Sequence, residues 1–273
     1  MKLKKYLIYI VLSVVCLLCG CAASSKAPPV SGVFRFCVLK TGKSDAIFMQ
    51  TENYNIILDC GEKDDGKKIV DLLHQNGVYD IDYLFITHFD KDHVGGFAYV
   101  TENVNTHKII VPDYPCTNKA YLNAVANDKL NIITLTKDEC FTLDDVMFEV
   151  SVAKKRADIE KVNDFSLAIS ITHGRNSFLF TGDAEEGRIP EISAEFGKPY
   201  DILKAPHHGI YNRAAEELIN TVKPKYTIIT DSTEKPIDAR IMSILTNAKS
   251  KIYTTKSGSI FVSSDGYNID IKQ

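Results

Sequence analysis

Ten consecutive residues, Thr87-His88-Phe89-Asp90-Lys91-Asp92-His93-Val94-Gly95-Gly96, constrain this chain more than any other stretch. They begin where Tyr83-Leu84-Phe85-Ile86-Thr87 ends, a short continuous apolar run of the kind that forms a strand buried on both faces. Four of the six residues from His88 to His93 carry side chains that can ligate a metal. A loop leaving a buried strand can turn His88, Asp90, Asp92 and His93 toward one point, and the glycines let the next helix begin close by. Two imidazoles and two carboxylates so placed can serve two adjacent cations. A polar strand-to-helix loop with Asp90 or Asp92 as N-cap is the plainer alternative, but it accounts for one aspartate and leaves the other ligand types unexplained.

The rest of the chain alternates strand and helix. Strands over 32–39, 46–50 and 54–58, with a turn at Thr41-Gly42-Lys43-Ser44, read as an antiparallel opening. Ile69, Leu72 and Leu73 fall at helical spacing within 67–75, and Asn76-Gly77 stops that helix. Strands are expected over 108–111, 131–135 and 146–152, and a helix over 118–127. Residues 166–172 and 177–181 form an expected hairpin around His173-Gly174-Arg175-Asn176. Helices over 184–196, 213–222 and 238–247 alternate with strands over 201–205 and 226–230, and strands over 251–255, 259–263 and 267–271 close the chain. Such blocks predict two sheets packed face to face with helices outside, in one domain over 31–273.

The string from His88 to His93 resembles the HxHxDH signature of the metallo-β-lactamase superfamily, with Asp90 in place of the second His. With Gly95 and Gly96 it is similar to the HxDxDHxGG form of the hydrolase-like domain of the bacterial competence protein ComEC and its free-standing relatives. Further matches follow in order. Gly42, Asp45 and Ala46 keep part of a GQGDA turn, eroded at Lys43-Ser44, and Ile56-Ile57-Leu58-Asp59-Cys60-Gly61 resembles an LIDxG strand end. Asn163-Asp164-Phe165-Ser166-Leu167 with Phe178-Leu179-Phe180-Thr181-Gly182-Asp183 resembles an NxxS and FLFTGD pair. Leu203-Lys204-Ala205-Pro206-His207-His208-Gly209 is similar to LKxxHHG, and Gly258-Ser259-Ile260 to GTI. The resemblance implies an α/β (α+β) chain folded as a four-layer αββα sandwich, two divalent metal ions and hydrolysis of a phosphodiester, with DNA the leading substrate.

Asp183 leaves the apolar strand through Gly182, so its carboxylate can bridge two metals. Antiparallel pairing about Gly174-Arg175 sets Gly182 opposite Leu167, which brings Asn163, Asp164 and Ser166 near the metal end and leaves His173 at the far turn, outside the ligand set. His107 reads as surface polar and His74 as structural. One metal site is expected from Asp92, His93, Asp183 and His207, the other from His88, Asp90 and Asp183 with Asn163 or Asp164; Asp45 and Ser166 are further candidates. His207 is favoured as the ligand because the preceding strand delivers it first, and His208 as a substrate-facing group or general acid, with the reverse open. A carboxylate-rich site shifts preference toward manganese and leaves zinc open. Metal-assisted hydrolysis follows, in which a metal-activated hydroxide is oriented by Asp92 and His208 protonates the leaving oxygen. Cell-wall phosphodiesters are an alternative substrate, and a β-lactam is disfavoured by Asp90. An inactive scaffold that binds DNA or another polyanion is the competing reading, kept alive by the thin first site.

Residues 1–21 form a separate object, with Lys2, Lys4 and Lys5 ahead of an apolar run from Tyr6 to Leu18. The run is short for a membrane span, and Leu18-Cys19-Gly20-Cys21 resembles a lipobox. Cleavage before Cys21 would leave a lipid anchor on that cysteine, a flexible tether over 22–30 and an extracytoplasmic domain held at the cell membrane. Losing the leader removes three of 32 basic residues and no acidic ones, moving the formal charge from −3 to −6, which does not advertise a polyanion partner. Lys154-Lys155-Arg156 with Lys161, and Lys204, are the best local basic candidates. Cys37, Cys60, Cys116 and Cys140 show no CxxC spacing; Cys116 with Cys140 is one conceivable disulfide, and free thiols are the other outcome.

Overall fold

The computed structural model describes residues 30–126, 129–154, 161–232 and 236–273. The leader, Cys21, the tether before Val30 and the basic pair Lys155-Arg156 lie outside them.

The first part runs β1 (Phe34–Val38), β2 (Ala46–Gln50), β3 (Asn55–Cys60), α1 (Asp65–Gln75), β4 (Asp80–Phe85), α2 (Lys91–Val94), α3 (Phe97–Asn103), β5 (Asn105–Pro112), α4 (Lys119–Val125) and β6 (Ile132–Leu135). The second runs β7 (Glu139–Leu143), β8 (Val146–Ser151), β9 (Ala168–His173), β10 (Asn176–Phe180), α5 (Ile189–Phe196), β11 (Ile202–Lys204), α6 (Arg213–Val222), β12 (Tyr226–Ile229), α7 (Ala239–Asn247) and β13 (Lys251–Thr254). Then β14 (Ile260–Ser264) and β15 (Ile269–Lys272) return to the first sheet. The sheets have the orders β15-β14-β1-β2-β3-β4-β5-β6 and β13-β12-β11-β10-β9-β8-β7.

Alternation along each strand builds the layers. Phe34, Phe36, Met49 and Phe85 meet Phe148, Ile171, Phe178 and Phe180 between the sheets. The Phe36 ring lies 5.5 Å from both Phe178 and Phe180. On the other faces, Phe48, Ile57 and Leu84 pack under Ile69, Leu73, Phe97 and Val100 of α1 and α3. Leu179, Leu203 and Ile229 pack under Ile192, Leu218, Ile219 and Leu245 of α5, α6 and α7. The result is the expected αββα sandwich, with strands that are apolar on both faces because both faces are covered.

Strands β3 to β6 are mutually parallel, as are β10 to β13. Their carboxyl ends carry Asp59, Thr87-His88, Asp183, His207-His208 and Thr230, and ligand sites in α/β sheets form at such ends. Between β9 and β10, Phe180 faces Ile169, so the register continues to Gly182 opposite Leu167, as expected.

Two local expectations change, and one left open is decided. The strand β7 was not foreseen; it is an edge strand, half polar, and its turn into β8 uses Asp144 at φ 52 in place of a glycine. The helix expected from 184 starts at Ile189, because Glu185 and Arg188 turn their backbone N–H groups to the Asp164 carboxylate. Cys116 and Cys140 are free thiols: Cys116 packs with the α-helical layer of the first sheet, whereas Cys140 is exposed on the edge of the second.

Candidate metal centre

Two glycines and three left-handed residues bring the loops together. Gly182 has φ +53, and a Cβ there would lie 2.9 Å from Thr87 Cβ, so only glycine lets the Asp183 loop close on the His88 loop. Similarly, a Cβ on Gly96 would lie 2.3 Å from the Cys60 carbonyl oxygen, which explains why α3 begins so close to β3. Asp59, His207 and His208 all have positive φ, at 60, 46 and 50. Strained backbone in three non-glycine residues around one point is characteristic of functional sites.

Hydrogen bonds fix the rings. His93 Nδ1 lies 2.8 Å from Asp59 Oδ2, and the Thr87 hydroxyl donates to the same oxygen at 2.7 Å. With its proton committed to Asp59, Thr87 Oγ1 can only accept from His88 Nδ1, 3.1 Å away. Thr230 repeats the pattern: its hydroxyl donates to Asp45 Oδ1 at 2.9 Å and meets His208 Nδ1 at 2.7 Å. All three imidazoles therefore carry Nδ1–H outward and aim Nε2 inward, the arrangement that orients metal-ligating histidines.

Those Nε2 atoms of His88, His93 and His208, together with Asp183 Oδ1, are buried without a hydrogen-bond partner. Buried polar atoms are rarely left so, and several around one point fit a cation. Asp92, His93, Asp183 and His208 each offer a ligand atom within 4.8 Å of the others. His208 Nε2 is 3.1 Å from Asp183 Oδ2 and 3.5 Å from Asp92 Oδ2, and His93 Nε2 is 3.2 Å from Asp183 Oδ1. Asp90 stands at the opening, its Oδ2 3.8 Å from His88 Nε2. A second triad, Asp45, Asp59 and His93, lies behind, but its carboxylates are engaged by Lys204, Thr230 and Thr87.

His207 lies at the rim. Its Nε2 is 3.8 Å from Asp183 Oδ2 and its Nδ1 is 3.2 Å from Glu185 Oε1. Asn163 donates to that Glu185 oxygen at 2.9 Å and Lys161 pairs with the other, so Asn163 and Lys161 act on Glu185. Asp164 caps the turn before α5, and Ser166 Oγ is buried beside Gly182 without a partner. Lys204 is buried and paired with Asp45, which removes it from any surface basic patch. His173 is bonded to Ser264 at 2.8 Å, His107 lies near Asp80 and His74 stacks on Tyr79.

The charges are strongly coupled. Burial and the His93 cation hold His88 down at about 3. Burial also opposes charge on His208, but the Asp183 and Asp45 carboxylates outweigh it and hold its pKa up at about 10. For His93 the same contest, won by Asp183 and Asp59, ends well above the ordinary value. Asp183 is held well below the carboxylate range, its burial outweighed by His208 and His93. Burial and the Asp92 charge raise Asp90. Sequence spacing assigns no role to Asp59, Thr87, Thr230 or Glu185. Asp59 sits in the strand-end motif Ile56 to Gly61 and Glu185 two residues after Asp183, whereas Thr230 merely ends an apolar strand.

The pattern of the Metallo-beta-lactamase superfamily matches residues 39–229. ComE operon protein 3 of Bacillus subtilis is 27% identical over 169 residues, covering 60% of this chain and 22% of that protein. Recombination protein 2 of Haemophilus influenzae is 26% identical over 209 residues, 72% of this chain and 24% of that protein. The chain thus spans about a quarter of the length of these curated relatives. Among solved structures, the metallo-beta-lactamase fold protein YhfI of Bacillus subtilis superposes with a TM-score of 0.57 at 13% identity, over 86% of this chain and 100% of that one. Among the described residues no helix is long and apolar enough to cross a membrane. With the sandwich, the ordered donors and a match over more than half its length, this chain belongs to the metallo-beta-lactamase superfamily.

Proposed function

We propose that this protein is a metal-dependent hydrolase of phosphodiesters that works outside the cytoplasmic membrane, held there by a lipid on Cys21 ahead of a domain over 31–273. The observation that carries the metal half is the burial of three unpartnered imidazole Nε2 atoms, those of His93 and His208 at 3.2 and 3.1 Å from Asp183 and that of His88 at 3.8 Å from Asp90. Asp92, His93, Asp183 and His208 would hold one cation; His88, Asp90 and Asp183 would hold another. A divalent cation held there, zinc or manganese, would supply Lewis acidity and lower the pKa of a water toward neutrality.

The chain's own groups do the rest. Asp92, partly exposed at the opening, is placed to orient the attacking water through its carboxylate. The two adjacent histidines exchange the roles favoured from sequence. Left-handed backbone at both turns His208 inward, to 2% exposure, and leaves His207 at the rim with Glu185 behind its Nδ1. His208 is then a ligand, and His207 Nε2 is the group that meets the leaving oxygen.

The phosphodiester half is an extension of the metal half, drawn from likeness to ComE operon protein 3, Recombination protein 2 and Competence protein ComA of Neisseria gonorrhoeae, whose names speak of recombination and competence and make DNA the first substrate to try. Metal-loaded protein should cleave bis-p-nitrophenyl phosphate and single- or double-stranded DNA, and Asp92→Ala should not. Cleavage of teichoic acid alone would move the substrate to the cell wall. Binding of DNA without turnover under any metal would replace the hydrolase by a binding scaffold, a reading favoured by the half-exposed position of Asp90, 3.8 Å from His88 Nε2.

A further inference from the structure

Lys204 is 1% exposed although it carries an ammonium group. Its Nζ lies 2.8 Å from Asp45 Oδ2 and donates to the Ala205 carbonyl at 3.1 Å. Asp45, itself 2% exposed, immediately precedes β2 in the first sheet, whereas Lys204 ends β11 in the second. The pair therefore ties the two sheets at the end where the metal donors meet.

From Asp45 the contacts branch to both halves of the centre. Its backbone N–H donates to the Asp92 carbonyl at 3.1 Å. Its Oδ1 takes the Thr230 hydroxyl at 2.9 Å, and Thr230 Oγ1 meets His208 Nδ1 at 2.7 Å. Asp92 lies in α2, after β4 of the first sheet, and His208 in a loop of the second, so one residue touches both, Asp92 through its amide and the support of His208 through its carboxylate. Stability alone is a weak reason for such a pair, because apolar residues of similar volume commonly do as well as a buried ion pair or better. Leu203 and Ala205, on either side of Lys204, are buried and apolar.

Resting on the metal-hydrolase reading, we propose that Asp45 and Lys204 are positioning residues for His208. Lys204 holds the Asp45 carboxylate in place; Asp45 Oδ1 accepts the Thr230 hydroxyl hydrogen bond; Thr230 Oγ1 at 2.7 Å and Asp45 Oδ1 itself at 3.3 Å then both face His208 Nδ1, with Thr230 the nearer acceptor, which leaves Nε2 aimed at Asp92 and Asp183. The arrangement parallels Asp59, Thr87 and the first two histidines, but it joins the two sheets where that one stays within a single sheet.

The test uses the full chain and manganese or zinc ions alone, with affinity read by competition against a chromophoric chelator and Tm read on metal-free protein. Thr230→Val should weaken metal binding about 10- to 100-fold, the range for outer-shell partners, while Thr230→Ser stays near wild type. Asp45→Asn combined with Lys204→Met should lose affinity while keeping the wild-type Tm. A packing role predicts the reverse order at position 230, since valine matches threonine in volume and serine leaves a gap. That order, or wild-type affinity in the double variant, overturns the inference while the hydrolase reading stands. If the double variant fails to fold, the two Thr230 variants decide alone. A wild-type chain that binds neither ion overturns the hydrolase reading together with this one.

Discussion

Asp59 Oδ2 lies 2.8 Å from His93 Nδ1, with both side chains buried and the carboxylate also receiving the Thr87 backbone N–H at 2.7 Å. One aspartate thereby sets the orientation of two histidines, His93 directly and His88 through the Thr87 hydroxyl. Asp59→Asn keeps the shape and removes the charge, so metal affinity should fall about 10- to 100-fold with the fold intact. Chelator competition on folded variant protein reads this; unchanged affinity would mean that the rings are held by packing instead.

The raised pKa of His208, about 10, carries a stability prediction. An unfolded histidine titrates near 6.5. A folded value above it contributes stability that is complete below about pH 6.5 and is lost as pH rises toward about 10. Metal-free protein should therefore lose Tm from neutral to alkaline pH, and His208→Gln should flatten that slope. The same Nε2 proton must leave before the ring can ligate, so cation affinity should climb over the same range. Calorimetry in buffers of different ionisation heat measures the protons released, and zero release would contradict the assignment.

Gly182→Ala should be among the most disruptive single-methyl changes in the chain. The new Cβ would stand 2.9 Å from Thr87 Cβ at a φ of +53. Strain of this kind costs on the order of 1–3 kcal/mol, and relief by moving either loop displaces Asp183 or His88. Thermal melts with and without metal should show a lower Tm and a smaller metal-induced rise; a wild-type pair of melts would show that the loops are not locked together here.

Thiol chemistry checks the packing of the cysteines. Cys140 is exposed and should react at once with a thiol reagent, whereas Cys37 and Cys60 should react only on unfolding. Burial pushes the Cys37 thiol up to about 12. Reductant should leave the Tm unchanged, and a Tm drop would reveal a bond between Cys116 and Cys140.

Strand ends were legible from sequence because apolar runs such as 177–181 stop abruptly at Gly182-Asp183, and the β9–β10 register followed from one glycine turn. The string His88 to His93 announced the donors for the same reason, since local spacing alone brings them together. What spacing could not show was which of His207 and His208 points inward, because that depends on two consecutive left-handed residues. Nor could it show that Asp45 and Thr230, 185 residues apart, meet behind His208. The edge strand β7 carries little signal because Glu139 and Thr142 interrupt its apolar residues and only Leu143 is fully buried.

Titration calorimetry of metal-stripped protein with zinc or manganese near neutral pH puts the proposed convergence of these donors on divalent cations to the test. Saturable binding of about two ions per chain is expected, at least one of them lost in Asp183→Asn, the carboxylate common to both proposed sites. Binding that never saturates, or an Asp183→Asn isotherm that overlays the wild type, would contradict it.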